Sequence, residues 1–288
     1  MDTFTTLASL RSWLHAQRMA GRSIGFVPTM GALHRGHLTL IEAAAAGNEV
    51  VVVSIFVNPL QFAAHEDLAS YPRDLERDVA MATEVGATAI FAPSVEEMYP
   101  QWPLLTSVSV STISEPMEGA VRPHFFAGVA TVVCKLFSIV GECRAYFGEK
   151  DFQQLAVVRR MTEDLSLPVE LVGCPTVRER DGLAMSSRNV YLTEEERQQA
   201  PTLHWALIAA VAAIASGERS AESVRQLMHS LIEPVAPLDY AEVVDAYSLQ
   251  RVDPLAGELR LLVAARFGKA RLIDNVGVTV PPIGPVPT

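Results

Sequence analysis

Residues 24–47 are IGFVPTMGALHRGHLTLIEAAAAG, and this stretch decides the fold class. Its first part, 24–29, is a short apolar run that stops at a proline, which is typical of a buried strand. From His37 the residues are good helix formers, and Gly47 with Asn48 forms a typical C-terminal stop signal. The stretch therefore predicts a strand, a loop that contains glycines, and a helix.

The same alternation continues outward from this stretch. Strands are predicted over 50–57, 87–91, 144–147 and 168–173, and helices over 73–85, 128–140 and 151–164. On helix 73–85, Leu75, Val79 and Ala82 share one face. We therefore predict an α/β protein, with a Rossmann-like, doubly wound parallel sheet over residues 1–176 that binds ligands at the carboxyl ends of its strands.

The pattern changes after residue 176. A polar loop over 176–190 precedes Thr193 and Glu196, whose spacing predicts a capping box for a helix that runs to about Ser216. A second helix over 220–232 and strands over 239–247 and 258–274 follow. Residues 177–288 therefore form a smaller C-terminal α+β domain, with an extended or disordered tail over 281–288.

Composition excludes several classes of protein. The chain has 288 residues, 49% of them apolar, and a formal net charge of −10, so it is neither disordered nor fibrous and has no overall positive field for nucleic acid or an anionic membrane. The longest apolar run, 206–216, is shorter than the roughly 20 residues that span a bilayer. The N-terminus has no secretory signal pattern, and Cys134, Cys143 and Cys174 are expected to be reduced thiols of a cytoplasmic protein.

The sharpest local feature is the loop PTMGALHRGH, residues 28–37. Gly31 and Gly36 have P-loop spacing, but His37 and Leu38 stand where a P-loop needs Lys and Ser or Thr, so that motif fails. Glycines still allow close backbone approach, and a helix N-terminus offers free N–H groups to a phosphate.

His34 and His37 are three residues apart, so they share one face if both lie in the first helical turn. Two imidazoles placed there could donate hydrogen bonds to phosphoryl oxygens. A zinc pair is the competing interpretation, but the usual i,i+4 spacing and an adjacent catalytic glutamate are missing. The plain structural alternative is that one histidine caps the turn while the other packs.

Three further loops carry polar side chains. Asn58 and Gln61, in NPLQF, could bind a polar or carboxylate-bearing substrate, or the segment could be a simple turn. Lys150 in GEKDFQQ suits a phosphate, although an ordinary capped helix start is equally compatible. The hydroxyls and guanidinium of residues 185–188 could clamp a triphosphate, or the loop could be a solvated hinge.

Together these segments resemble the pantoate–β-alanine ligases of the H-x-G-H nucleotide-binding superfamily, over nearly the whole chain. The resemblance rests on five segments in the family's order and approximate spacing: PTMGALHRGH (28–37), VNPLQF (57–62), YPRD (71–74), YFGEKDFQQ (146–154) and MSSRN (185–189). It implies an ATP-dependent, AMP-forming ligase of pantothenate biosynthesis, in which pantoate forms a pantoyl adenylate that β-alanine then converts to pantothenate. It also implies Mg²⁺ with the ATP, no nucleic-acid or membrane partner, and a homodimer.

The resemblance also implies roles for individual residues. His34, His37 and Lys150 are the catalytic candidates, with His37 in the family's proton-donor role and no assigned metal ligands. The small domain closes over the site. Substrate contacts fall to Gln61, Gln154, Asn58, Tyr71 and Arg122. ATP contacts fall to Met30, Gly31, Ala32, Leu33, His34, Arg35, Gly36, His37, Gly148, Glu149, Lys150, Asp151, Val177, Met185, Ser186, Ser187 and Arg188.

The chain departs from the family pattern at two places. Arg35 replaces a glutamate at a position that we expect to point outward. Residues 122–128 are RPHFFAG where the family has R-P-G-H-F-x-G, so His124 replaces glycine and Phe125 replaces histidine. We expect activity to be retained with altered substrate affinity.

Two other functions compete with the ligase. A nucleotidyltransferase of the same superfamily is disfavoured by Gln61, Gln154 and the VNPLQF loop, which suit a small acid. A catalytically inactive nucleotide-binding or interaction protein is disfavoured because the key polar residues other than 124 and 125 are intact.

Overall fold

The computed structural model describes residues 1–62, 68 and 71–281. The chain folds as two units: the first contains Met1–Glu149 and Gln153–Thr176, and the second contains Lys150–Phe152 and the chain from Val177 onward. Each unit has a hydrophobic core of its own. Within the described residues, no helix is both long enough and apolar enough to cross a membrane.

The first unit is built on a sheet of six strands in the order β1-β4-β3-β2-β5-β6. Every pair of neighbouring strands in it is parallel. The central β2 and β3 pair in register from Ile24 with Val50 to Thr29 with Ile55. The strands are β1 (Asp2–Phe4), β2 (Ile24–Thr29), β3 (Val50–Ile55), β4 (Ala89–Phe91), β5 (Cys143–Gly148) and β6 (Val169–Cys174).

The strand order confirms the predicted doubly wound sheet. From β2 the chain moves outward through β3 and β4, and β5 then starts on the other side of β2 and leads to β6. The reversal places the carboxyl ends of β2 and β5 side by side, which is where such sheets bind ligands. The loops that follow these two strands start at Met30 and Glu149.

Helices cover this sheet, and its central strands are therefore apolar throughout. The four valines that open β3 are buried, as expected for a strand that is packed on both faces. The helices of this part of the chain are α1 (Leu7–Met19), α2 (Arg35–Gly47), α3 (Leu75–Glu84), α4 (Val95–Met98), α5 (Glu118–Val121), α6 (Phe125–Val140) and α7 (Phe152–Asp164). Short 3-10 turns lie at Pro59–Gln61 and Glu149–Asp151.

Several sequence expectations for this unit need correction. The strand β1 and the helices α1, α4 and α5 were not predicted, and α6 starts at Phe125 rather than at residue 128. The residues predicted to share one face of α3 are not all buried, since Leu75 is 44% exposed, whereas Asp78 is buried on that helix. A charged residue occupies the inner face because its carboxylate accepts hydrogen bonds there, as described below.

The second unit carries an antiparallel sheet in the order β7-β8-β9. A core of small and branched apolar side chains fills the space between this sheet and its helices. The elements are α8 (Glu194–Gln199), α9 (Thr202–Ala215), α10 (Ala221–Ile232), β7 (Leu238–Asp245), β8 (Gly257–Phe267) and β9 (Ala270–Val280), with a 3-10 turn at Ser187–Tyr191.

The predicted α+β class of this unit is correct, but two of its elements are each divided. The capping box of Thr193 and Glu196 is present, yet the helix stops at Gln199 and a second one begins at Thr202. Pro201 stands between them and lacks the N–H that a continuous helix requires. The predicted strand over 258–274 is a hairpin that turns at Gly268, where φ is +53°. The predicted tail lies outside the described residues from residue 282 onward.

Candidate active site

The two histidines of the loop after β2 cap the N-terminus of α2 together. His34 is the N-cap residue, and its Nδ1 accepts the N–H of Gly36 at 3.1 Å. The N–H of His34 in turn donates to Nδ1 of His37 at 3.4 Å. The two ring centroids are 4.1 Å apart, so the predicted shared face is correct, although His34 precedes the helix.

These caps determine which ring nitrogen carries the proton. In a neutral ring whose Nδ1 accepts a backbone N–H, the proton resides on Nε2, and this tautomer fits the caps of both His34 and His37. Each Nε2–H is then a hydrogen-bond donor at the N-terminus of α2, where the helix dipole also favours an anion. Both histidines therefore cap the helix, whereas the structural alternative had one histidine capping and the other packing. Hydrogen bonds from these rings to phosphoryl oxygens stay a prediction.

Neighbouring residues leave room for this pair. A Cβ at position 36 would lie 2.9 Å from Cε1 of His34, so Gly36 is needed for the observed ring position. Arg35 is exposed and pairs with Glu42 at 2.7 Å, which agrees with the expectation that this side chain points outward.

The loop before the histidines is held by a side chain that the sequence did not reveal. The N–H groups of Ala32 and Leu33 donate to the two carboxylate oxygens of Asp78, each at 2.8 Å. The N–H of Gly31 donates to Oγ1 of Thr29 at 3.2 Å. The available signal for Asp78 was a charged residue four positions before Ala82 on an amphipathic helix.

Asn58 organises the polar turn after β3. Its amide nitrogen donates to Oε1 of Gln61 at 2.9 Å and to the carbonyl of Gly128 at 3.1 Å. Its Oδ1 accepts from the hydroxyl of Tyr99 at 2.8 Å and from the N–H of Leu60 at 3.2 Å. Asn58 thus supports the turn. Because Asn58 binds the side-chain oxygen Oε1 of Gln61, the side-chain NH₂ group of Gln61 points away from Asn58.

Two residues that support Asn58 were not predicted. Burial raises the pKa of Tyr99, which keeps its hydroxyl a neutral donor. A Cβ on Gly128 would lie 2.1 Å from the carbonyl oxygen of Leu60, so α6 approaches this turn as closely as it does only with glycine there. No local motif signals either contact, because each joins segments that are far apart in sequence.

Arg122 borders the same turn. Its Nη2 donates to the backbone carbonyl of Gln61 at 3.2 Å, and its Nη1 lies 3.6 Å from a carboxylate oxygen of Glu118. The guanidinium carbon lies 3.8 Å from the centroid of the Phe125 ring, so the phenylalanine that replaces the family's histidine stacks on this arginine. His124, which replaces glycine, has a left-handed backbone with φ of +73°.

Gln153 is a further residue that was missed, one position before the predicted Gln154. It is buried, and its Oε1 accepts the N–H of Glu118 at 3.0 Å while its NH₂ donates to the carbonyls of Ile113 and Pro116. Gln154 is half-buried in the first turn of α7. Gln153 therefore fixes the backbone next to Arg122.

The remaining predicted residues of the first unit lie at its loops. Gly148 ends β5 and Glu149 begins the 3-10 turn that follows. The Tyr71 ring packs edge-on against Phe62, with the centroids 5.8 Å apart. Met30, Gly31, Ala32 and Leu33 lie in the loop between β2 and α2.

Lys150 belongs to the second unit, where β9 holds its backbone. The amide of Asn275 donates to the carbonyl of Lys150 at 2.8 Å, and Nε of Arg260 donates to Oδ1 of Asn275 at 2.6 Å. Nζ of Lys150 lies 3.8 Å from a carboxylate oxygen of Asp151, whose side chain is half exposed. This support could not be predicted, because 125 residues separate Lys150 from Asn275.

Local hydrogen bonds hold the backbone of the loop that contains Ser186 and Arg188. The N–H of Met185 donates to the carbonyl of Val177 at 2.9 Å, and the Ser186 hydroxyl accepts the N–H of Arg188 at 3.2 Å. Ser187 begins the 3-10 turn that follows.

The ion pair of Arg178 with Asp274 of β9 supports this loop. Arg178 donates to both carboxylate oxygens of Asp274, at 2.6 and 2.9 Å, and to the carbonyl of Gly182 at 3.0 Å. Asp274 is 3% exposed, so the pair is largely desolvated. Among the described residues, no group of three or more His, Cys, Asp or Glu side chains is arranged to hold a metal ion.

Comparison with known proteins gives one consistent result. The family model described as pantoate-beta-alanine ligase matches residues 2–277. A pantothenate synthetase from Heliobacterium modesticaldum is 54% identical over 282 residues, which cover 97% of this chain and 100% of that protein. One from Moorella thermoacetica is 50% identical, with coverage of 97% and 99%.

Solved structures agree. The crystal structure of pantothenate synthetase from Thermus thermophilus matches with a TM-score of 0.90 and 50% identity, over 96% of this chain and 99% of that one. A pantoate-beta-alanine ligase from Francisella tularensis, complexed with beta-gamma ATP and beta-alanine, matches with a TM-score of 0.76 and 33% identity, over 96% and 97%. The chain belongs to the pantoate–β-alanine ligase family.

Proposed function

We propose that the histidine pair at the N-terminus of α2 binds the ATP phosphates during the condensation of pantoate with β-alanine, the reaction of this family. In the first step a pantoate carboxylate oxygen attacks the α-phosphorus, and the bond to the bridging oxygen breaks, which releases pyrophosphate. In the second step the β-alanine amine attacks the acyl carbon of pantoyl adenylate, and AMP leaves with the bonding electrons.

One observation carries this proposal: the reciprocal caps turn both Nδ1 atoms inward. Each imidazole is then a neutral Nε2–H donor, suited to oxygens on which negative charge builds as pyrophosphate departs. The reaction needs no protein nucleophile, so positioning and charge stabilisation supply the catalysis. We assign His37 as the proton donor of the pair and His34 as its partner.

The amide-bearing turn after β3 suits pantoate. Asn58 holds the carbonyl oxygen of Gln61, so the Gln61 NH₂ group is directed away as a donor for a carboxylate or hydroxyl. We assign Gln61 and Gln154 to pantoate, with Asn58 as their support and Tyr71 and Arg122 as neighbours. The ligase from Francisella tularensis was crystallised with β-alanine, which supports a β-alanine site in this family.

Residues of the second unit suit the triphosphate. Lys150 supplies a point charge, Ser186 and Ser187 supply hydroxyls, and Arg188 is an exposed guanidinium. The ATP contacts that we propose are those implied by the resemblance, from Met30 to His37, Gly148 to Asp151, Val177, and Met185 to Arg188.

We also propose that Mg²⁺ enters as the ATP complex. Magnesium commonly keeps several waters and is held by substrate phosphates with one or two carboxylates. A cytoplasmic homodimer completes the proposal, on the basis of the family resemblance.

Pyrophosphate–ATP exchange tests this function. We expect exchange that requires pantoate, whereas exchange without pantoate would indicate a nucleotidyltransferase and no exchange an inactive protein. His37→Ala should lower the rate by about 10²–10³-fold, the usual cost of a lost transition-state donor.

His34→Asn is the sharper variant. Asparagine is a good N-cap, so it retains an acceptor for the helix but lacks the Nε2–H donor. The control is His15→Ala, an exposed histidine of α1, which should exchange at the wild-type rate. Wild-type exchange by both His34→Asn and His37→Ala, with unchanged circular dichroism, would remove the proposed phosphate role.

A further inference from the structure

We propose that Asp78 is a positioning residue for the phosphate-binding histidines. It touches no reacting atom in this proposal and acts through the backbone of the loop between β2 and α2. The inference rests on the proposed role of His34 and His37 and extends it to a residue of α3.

The contact is direct and two-pronged. Oδ2 of Asp78 accepts the N–H of Ala32, and Oδ1 accepts the N–H of Leu33, each at 2.8 Å. Both oxygens of one carboxylate are thereby bound to consecutive peptide groups. Two parallel bonds to one rigid group set both the position and the orientation of the loop.

Burial makes this contact specific. Asp78 is 1% exposed, and a buried carboxylate is retained in a fold only when hydrogen bonds compensate its lost hydration. The carboxylate of Asp78 faces the loop rather than water, unlike Glu76 and Glu84, which are exposed on the same helix. The structure therefore ties this carboxylate to the loop.

The loop requires such an anchor because its backbone is strained. Gly31 and Ala32 both have positive φ, +80° and +50°, and Ala32 carries a side chain that disfavours this region. Residues in sparsely populated conformations persist only when their surroundings hold them. Asp78 accepts the N–H of Ala32 itself, so it holds the strained peptide directly.

Leu33 transmits this geometry to the histidines. It is buried, its N–H is bound to Asp78, and it immediately precedes His34. His34 in turn begins the reciprocal caps that fix both imidazoles. If the peptide at Leu33 shifts, the N-cap shifts with it, and both Nε2–H donors lose their aim at the phosphates.

Asp78→Asn and Asp78→Ala test the inference. Asparagine keeps one acceptor for the two backbone N–H groups of Ala32 and Leu33 but places an NH₂ donor opposite the other. Alanine removes both acceptors. We expect both variants to raise the KM for ATP in pantoate-dependent exchange by at least tenfold. We expect the KM for pantoate to stay within twofold of wild type, because the Asn58–Gln61 turn does not contact Asp78 in the hydrogen bonds described above.

Two controls separate positioning from loss of stability. Ala82→Gly removes a buried methyl group from the same helix and should lower the Tm without changing the KM for ATP. Glu84→Gln removes one negative charge from an exposed site of α3 and should match wild type. A merely destabilised enzyme has fewer active molecules, which lowers the apparent kcat and leaves KM unchanged.

A spectroscopic readout follows the histidines themselves. Long-range ¹H–¹⁵N spectra report which ring nitrogen is protonated, and His34→Asn and His37→Gln assign the two signals. In wild type both should show the Nε2–H form, and Asp78→Ala should broaden or convert them. If Asp78→Ala does not fold, the histidine spectra of Asp78→Asn are compared with those of wild type instead.

The outcomes distinguish two failures. If wild type shows no pantoate-dependent exchange, the proposed function itself is wrong. If wild type exchanges and both Asp78 variants retain the wild-type KM for ATP and the wild-type histidine spectra, the positioning role is wrong and the proposed function stands.

Discussion

At the scale of single residues, the chemistry depends on which atom of each side chain faces inward. Nδ1 of His34 and Nδ1 of His37 each accept a backbone N–H at the N-terminus of α2, which places the proton of a neutral ring on Nε2. Asn58 satisfies its neighbours and directs the amide of Gln61. In both cases a hydrogen bond to one polar atom of a side chain fixes the orientation of its other polar atom: Nε2 of each histidine, and the NH₂ group of Gln61.

His124 provides a prediction at this scale. It adopts φ of +73° at the start of α6, where the family has glycine. A left-handed conformation costs a non-glycine residue roughly 1–2 kcal/mol, and replacing His124 by glycine removes this cost. Part of the stability gained is lost again, because glycine has greater conformational freedom in the unfolded chain. His124→Gly should therefore raise the free energy of unfolding by about 0.5–1 kcal/mol.

Urea unfolding monitored by circular dichroism measures this change. Glu84→Gln, at an exposed position of α3, serves as the control and should match wild type. A decrease in stability for His124→Gly would show that the side chain of His124 contributes more than its backbone strain costs.

At the scale of elements, the loop of residues 177–189 is held by β9 and α9 of the second unit. Arg178 makes a two-pronged ion pair with Asp274 of β9, and His204 of α9 has its Nδ1 4.0 Å from a carboxylate oxygen of Asp274. Burial lowers the pKa of His204, the Arg178 charge lowers it further, and Asp274 acts in the opposite direction. His204 is therefore neutral in the folded protein at neutral pH.

A pH dependence follows with a definite sign. The pKa of His204 is lower in the folded state than in the unfolded state, where it is about 6.5. Below that pH the unfolded chain takes up the proton first, so His204 lowers the free energy of unfolding as the pH falls toward its folded-state pKa. Above about pH 7 it has no such effect.

Urea midpoints between about pH 5 and 8 test this expectation. His204→Gln should lose less stability over the acidic part of this range than wild type. The control is His229→Gln, whose partly exposed ring on α10 lies 3.2 Å from Glu233. If wild type and His204→Gln have parallel pH profiles, His204 does not contribute.

At the scale of the whole molecule, an enzyme of net charge −10 binds anionic substrates. The overall field therefore opposes ATP and pantoate, and local donors must supply the attraction. The donors that we propose are the N-terminus of α2, the two Nε2–H groups, Lys150 and Arg188.

The cysteines give a prediction at this scale, because all three lie in the first unit and are free thiols. Burial raises the pKa of Cys143 to about 12, and it also raises the pKa of Cys134 and of Cys174. At about pH 8 a thiol of pKa about 12 is ionised in roughly one molecule in ten thousand. Reaction with a chromogenic disulfide reagent should therefore be slow in the native protein.

The same reagent should titrate three thiols at once in denaturant, which serves as the control. Rapid reaction of all three thiols in the native protein would show that the first unit opens readily at this pH.

From the sequence, the strand–helix alternation of the first unit and the α+β class of the second could be predicted, whereas β1, α1, α4 and α5 were missed. The periodicity over 24–47 predicted the strand, the loop and the helix, because apolar spacing reflects which faces are buried. The resemblance of the five motifs assigned the family, which the comparisons confirm. The helix over 193–216 and the strand over 258–274 are each divided in the structure, at Pro201, which lacks the N–H of a continuous helix, and at Gly268, where the hairpin turns.

The contacts that support the candidate residues within each unit appear only in the folded protein. Asp78 lies 45 residues from Leu33, Gly128 lies 70 residues from Asn58, and Asn275 lies 125 residues from Lys150. None of these pairs has a local signal, since the helix and strand periods describe neighbours along one element. The physical reason is that a loop's unpaired backbone groups must find partners wherever the packed fold brings them, and packing joins segments that the sequence keeps apart.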